Sequence, residues 1–282
     1  MTDRFAQFPR ALRERARAER AGDVPLLLAH PDWLKPAPVV VWLHGRTVSK
    51  ELDPGRYLRW VRAGIAACAI DLPGHGERAD PALREPGRSL DVLLAALPEI
   101  DRVLEFLAEP RFGSVIDLDR VAIGGMSLGG MTALRRLCDD HPFVCAAVES
   151  TTGWLEGLYF PERWGAPAAT PRWPVLHNPA LVARADASAH LRTFRPLPLL
   201  ALHSASDEVV PFGAQDRFIE RLREHYASQG ADPTLIEIKT WERTGAENEH
   251  NGFGRFANDA KNAQTAFFVR WLRPDAPAHG AF

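Results

Sequence analysis

The sequence predicts an α/β fold: a doubly wound, mostly parallel sheet with helices on both faces and a small inserted cap. Short apolar, β-branched runs recur along the chain, amphipathic segments alternate with them, and one aromatic- and proline-rich stretch breaks the alternation. The run V-V-V-W-L-H, Val39 to His44, is continuous and short, as a strand buried on both faces of a parallel sheet should be. Further runs are Ile65–Ile70, Val121–Gly124, Val144–Val148, Leu197–His203 and Leu235–Trp241. Between them, Tyr57–Arg62, Leu90–Leu107, Leu128–Cys138, Phe218–Tyr226 and Ala257–Leu272 repeat apolar residues near the helical period. Right-handed crossovers then place helices on both faces.

Two segments depart from the rhythm. Residues 10–20, R-A-L-R-E-R-A-R-A-E-R, combine helix formers with charge, so a solvated helix is expected within an N-terminal segment spanning 1–37. Residues 151–195 hold Trp154, Tyr159, Phe160, Trp164 and Trp173 among several prolines, where an α/β unit needs only a short connection and a helix. That stretch is expected to cap a site, dividing the core into 38–150 and 196–282, with Trp154, Tyr159 and Phe160 nearest the chemistry. Packing for stability alone is the alternative.

Composition narrows the function. Apolar residues make up 46% and charged residues 25% of the 282 positions, ordinary globular usage. A formal net charge of -2 offers no broad field for nucleic acid or anionic lipid, so neither is an expected partner. Cys68, Cys138 and Cys145 have no paired spacing and sit in apolar stretches, which suggests reduced core residues. No segment reaches the roughly 18 apolar residues that span a bilayer, and the first ten residues do not resemble a signal peptide, so the cytoplasm is the expected location.

The strongest local signal is G-M-S-L-G, residues 125–129, between the strand D-R-V-A-I-G and an apolar helix. In such a strand-to-helix turn the serine is held strained and exposed, and the flanking glycines admit close neighbours. Ser127 is the expected nucleophile. The N–H of Leu128, at the helix N-terminus, can bind an oxyanion, and the N–H of Arg46, in H-G-R after an early strand, is the second candidate donor. On sheets with this elbow the acid and then the base follow the serine, in loops after later strands. Asp207, in S-A-S-D-E-V-V-P, is the expected acid, with Glu208 and Glu149 as alternatives. Of the histidines after Asp207, His225 falls inside an amphipathic helix and His279 in a polar tail. His250, in E-N-E-H-N-G-F, remains as the base.

These pieces resemble the α/β-hydrolase superfamily from Pro38 onward: H-G, D-L-P-G-H-G-E (Asp71 to Glu77), G-M-S-L-G-G, S-D-E-V-V-P and the late histidine. Within it the chain is similar to bacterial esterases related to dienelactone hydrolase and to the catalytic domain of prolyl oligopeptidases. The resemblance implies a Ser-His-Asp triad without metal or organic cofactor, and a mainly structural role for His75. It departs from the family in two places. The chain before Pro38 is too short and too helical to supply clearly the usual opening hairpin, which points to fewer strands than the common eight, and serine stands where dienelactone hydrolases carry cysteine. The expected activity is hydrolysis of small to medium esters, a small-molecule ester being the partner. A peptidase or amidase on the same scaffold, or a ligand-binding protein that has lost catalysis, are the alternatives.

Overall fold

Along the third strand, Val39, Val41 and Leu43 enter one apolar cluster while Val40 and Trp42 enter a second, the alternation of a strand buried on both faces. A computed structural model describes residues 4–165 and 174–273. The chain opens with α1 (Arg10–Arg13), β1 (Ala16–Ala21), β2 (Val24–Ala29), β3 (Ala37–Leu43), α2 (Pro54–Arg62) and β4 (Ala66–Ile70). It continues with α3 (Ser89–Leu107), β5 (Ile116–Met126), α4 (Leu128–Arg136) and β6 (Cys145–Glu149). After α5 (Leu155–Tyr159) and α6 (Pro179–Ala185) come β7 (Leu199–Ser204), α7 (Phe212–Ser228), β8 (Ile236–Trp241) and α8 (Ala257–Leu272).

The strands form one eight-stranded sheet in the order β1-β2-β4-β3-β5-β6-β7-β8. β2 pairs antiparallel with both β1 and β4, and the remaining pairs are parallel. Residues of α3, α4 and α7, such as Val103, Leu134 and Phe218, pack on one face. Trp60 of α2 and Phe268 of α8 pack on the other, their rings edge to face at 5.4 Å. The three cysteines are free and buried. No helix among the described residues is long and apolar enough to cross a membrane.

The N-terminal expectation is corrected. The helix of residues 10–20 shrinks to the four residues of α1, and an opening hairpin is present, so the sheet reaches eight strands. The reason is tertiary. Gly22, at φ +62°, turns the chain so that Ala21 faces Val24, and the fully buried V-P-L-L-L-A of β2 draws its partner into the sheet. The helix-forming Arg and Glu residues of β1 then lie on an edge strand, where charge discourages further pairing. Among the described residues of 151–195, α5, α6 and short 3-10 turns carry the chain. Trp173 lies outside the described residues.

Candidate active site

The elbow is made by backbone sterics. Ser127 has φ 52° and ψ -119°, outside the regions an L-residue favours, between the end of β5 and the start of α4. A Cβ on Gly125 would overlap the backbone of Gly129, and one on Gly129 would overlap the carbonyls of Leu43 and His44. Only glycine therefore lets β5, α4 and the end of β3 meet this closely. The N–H of Ser127 donates to Glu149 O at 2.9 Å, and its carbonyl accepts from Thr151 Oγ1 at 2.8 Å.

Ser127 Oγ lies 2.9 Å from His250 Nε2, and His250 Nδ1 lies 2.8 Å from Asp207 Oδ2. Because a carboxylate accepts at Nδ1, that nitrogen carries the proton and Nε2 offers its lone pair to the serine hydroxyl. The other oxygen, Asp207 Oδ1, accepts from the N–H groups of Val209 and Val210 at 2.9 and 2.8 Å. His203, fully buried at the end of β7, donates from Nε2 to Val210 O at 2.8 Å and sits 3.4 Å from Asp207 Oδ2. Burial lowers its pKa, in keeping with a neutral ring.

Of the alternative acids, Glu149 is taken. Arg56 holds it with two bonds of 2.5 and 2.8 Å, and Gln264 Nε2 donates to it at 2.9 Å. The Arg56 guanidinium also stacks 4.3 Å from the Trp42 ring centroid. Burial opposes its charge, but the carboxylates of Glu149 and Asp53 together outweigh burial and raise its pKa. Glu208 is exposed, and its N–H donates to Asn248 O at 3.0 Å, tying the two loops together.

The candidate oxyanion donors flank the serine. Among the described residues the N–H groups of Arg46 and Leu128 have no acceptor. Leu72 N–H donates to His44 Nε2 at 3.0 Å, so His44 carries its proton on Nδ1 and donates to Gly45 O at 2.6 Å. The Gly45 carbonyl and the Arg46 N–H belong to one planar peptide unit, so this bond also fixes where the N–H points. Burial pushes the His44 pKa down to about 4, which keeps the ring in this neutral form. His75, expected to be structural, is buried beside it at 5.4 Å between ring centroids.

A cavity of about 660 Å³ opens on the serine, with Arg46, Leu128, Met131, Tyr159 and His250 in its walls. Of the three aromatics expected there, only Tyr159 lines it. Trp154 packs on Trp164 (5.3 Å) and under Arg221 (4.7 Å), and Phe160 under Arg163 (4.0 Å), with Trp154 and Phe160 both in the apolar core. Trp154 precedes α5 as its N-cap, outside the helical dihedrals, whereas Tyr159 closes the helix, so the two side chains leave opposite ends of it. The sequence reading missed Arg56, Gln264 and Glu249. The carboxylate of Glu249, next to His250, accepts four hydrogen bonds, and they lower its pKa to about 2, Thr244 N–H first. Glu249 and Gln264 stood in the sequence with no motif to mark them. Among the described residues no cluster of His, Cys, Asp and Glu could hold a metal ion.

Residues 40–250 match the alpha/beta hydrolase family. The chain is 31% identical over 211 residues to Esterase YjfP of Escherichia coli (strain K12), covering 72% of this chain and 82% of that protein. In structure it is similar to TT1662 from Thermus thermophilus, with a TM-score of 0.66 and 25% identity over 92% of this chain and 99% of that one. It is also similar to the Pyrococcus horikoshii acylaminoacyl peptidase, with a TM-score of 0.65 and 18% identity, covering 94% of this chain and 42% of that one. At that identity the likeness speaks for the fold alone.

Proposed function

The chain belongs to the alpha/beta hydrolase family and is a hydrolase of that fold, and from this premise we propose that it is a serine esterase of carboxylesterase type. The observation that carries the reading is the unbroken hydrogen-bonded series Asp207–His250–Ser127 facing the cavity. His250 Nε2 takes the Ser127 proton as Oγ attacks the ester carbonyl, while Asp207 holds the imidazole and stabilises its positive form. The N–H groups of Arg46 and Leu128 bind the tetrahedral oxyanion. His250 then protonates the departing alcohol, and water repeats the sequence on the acyl-enzyme.

Small to medium esters are the proposed substrates. The cavity has the size of a small-molecule site, and Leu52, Met126, Leu128, Met131 and Val209 offer an acyl or alcohol group an apolar stretch of wall beside the charged Arg46, Arg56 and Glu149. Residues 151–195 act as the cap, with Tyr159 as its contact to substrate. The free, buried cysteines fit a reducing compartment, and the cytoplasm is the proposed location.

A fluorophosphonate probe tests the chemistry: it should label one serine, and Ser127→Ala should abolish the labelling. A panel of short acyl esters against aminoacyl-anilides tests the substrate. Faster turnover of the anilides would make the protein a peptidase or amidase instead.

A further inference from the structure

We propose that Glu249 is a positioning residue, whose carboxylate latches together the loops carrying Asp207 and His250 and so holds the base at bonding distance from Ser127. The inference rests on the reading of His250 as the base. It starts from the backbone: Asn248 and Glu249, the two residues before His250, both lie in the left-handed region, at φ 52° and 51°. Neither is glycine, and while an asparagine tolerates this conformation, a glutamate holds it only where its surroundings impose it.

Four of the contacts that hold this segment converge on one carboxylate. Glu249 Oε2 accepts from Thr244 N–H at 2.6 Å, Thr244 Oγ1 at 2.8 Å and Ser204 Oγ at 2.9 Å, and Oε1 accepts from Gly245 N–H at 2.8 Å. Thr244 and Gly245 lie in the loop after β8. Ser204 ends β7 and begins the loop that delivers Asp207, whose own N–H donates to Ser204 O at 3.2 Å. One side chain therefore bridges the loop of the acid and the loop of the base. The cross-loop bond from Glu208 N–H to Asn248 O adds a second tie beside it.

A carboxylate suits this place because all four partners are donors and it alone accepts from all of them. Glutamine keeps one acceptor oxygen for the Oε2 side, but its amide then meets the Gly245 N–H donor to donor. Alanine removes every acceptor. Glu249 itself is not among the residues lining the cavity, so its loss should act on the placement of His250 and not on substrate contact.

The experiment measures kcat and KM for a short acyl ester with Glu249→Gln and Glu249→Ala, each corrected for active sites by burst titration, and with His250→Ala per mole of folded protein, alongside thermal melts. Misplacement by about 1 Å costs on the order of 10²-fold. Glu249→Ala should therefore lower kcat by about 10- to 100-fold with KM within about twofold, and Glu249→Gln should recover about half of that loss on a logarithmic scale. Unchanged kcat in folded Glu249→Ala overturns the latch, as does a change confined to KM or a glutamine variant no better than alanine. If Glu249→Ala fails to fold, Glu249→Gln alone decides, a normal kcat overturning the proposal. Wild-type activity in His250→Ala would instead remove the base assignment on which the latch depends.

Discussion

The two sides of the Ser127–His250 hydrogen bond are built differently. On the serine side, position comes from the main chain: a strained residue, two glycines that admit no Cβ, and contacts from Ser127 to the backbone of Glu149 and the hydroxyl of Thr151. On the histidine side, position comes from side chains reaching between loops: Asp207 capping Val209 and Val210, His203 bracing Val210, and Glu249 bridging β7 to the loop after β8. A site held by main-chain packing is written in contiguous residues. One held by side-chain bridges is scattered through the sequence, and single substitutions should loosen it by degrees.

The largest expected effects break the bond itself. Ser127→Ala should cost on the order of 10⁴-fold or more in kcat, with His250→Ala nearly as damaging, because members of such a unit are not additive. Melting temperature should barely move, since a hydroxyl at an elbow leaves no sizeable cavity. The effect of Asp207→Asn should be severe but smaller than that of Ser127→Ala, by fixing the wrong tautomer. Near-normal activity in any of the three, measured on short acyl esters, would overturn the role assigned to that residue.

A pair of glycines sharpens the contrast. Gly129→Ala drives a methyl into the Leu43 and His44 carbonyls, so it should cost about 4 kcal/mol or more or fail to fold. Gly252→Ala, in the loop just after His250 at φ +85° with open space around it, should cost only the backbone penalty of about 1–2 kcal/mol. Denaturant melts that rank the two in the opposite order would show that the elbow is not set by packing.

Between these sides lies the Arg56–Glu149–Gln264 group, whose Arg56 and Glu149 touch the cavity yet make no hydrogen bond to His250 among the described residues. Breaking one partner of a buried pair typically costs about 3–5 kcal/mol, so Glu149→Gln should lower stability by that order. Its kcat per folded active site should stay within about tenfold of wild type, a far smaller loss than for Asp207→Asn. Equal losses in the two variants would mean that the acid is shared.

The contrast also explains what could be read in advance. The elbow was legible because G-M-S-L-G lies between a buried strand and a helix, so local sequence states both the turn and its reason. That Asp207 and His250 would meet beside Ser127 was legible through chain order and loop position. Glu249 and Gln264 were not, since nothing near them in sequence shows which donors they will meet. The hairpin β1–β2 was missed for a related reason. The local preference of R-A-L-R-E-R-A-R-A-E-R is helical, and only pairing with the buried V-P-L-L-L-A overrides it.

The smallest effect tests whether the stretch 151–195 serves substrate or core. Tyr159 and Trp154 sit at opposite ends of α5, both largely buried, but only Tyr159 reaches the cavity. A side chain that touches substrate changes the differences between substrates, whereas one that only supports the fold changes all of them alike. Tyr159→Ala should thus shift relative kcat/KM across an ester series by about 1–3 kcal/mol, the scale on which a pocket tells apart substrates that differ by one small apolar group. Trp154→Ala should leave that ranking flat and lower stability by about 3–5 kcal/mol, as removal of a large core side chain does. The two variants are measured on one ester panel with parallel melts. If Trp154→Ala reorders the substrates and Tyr159→Ala does not, the cavity wall has been drawn on the wrong side of α5.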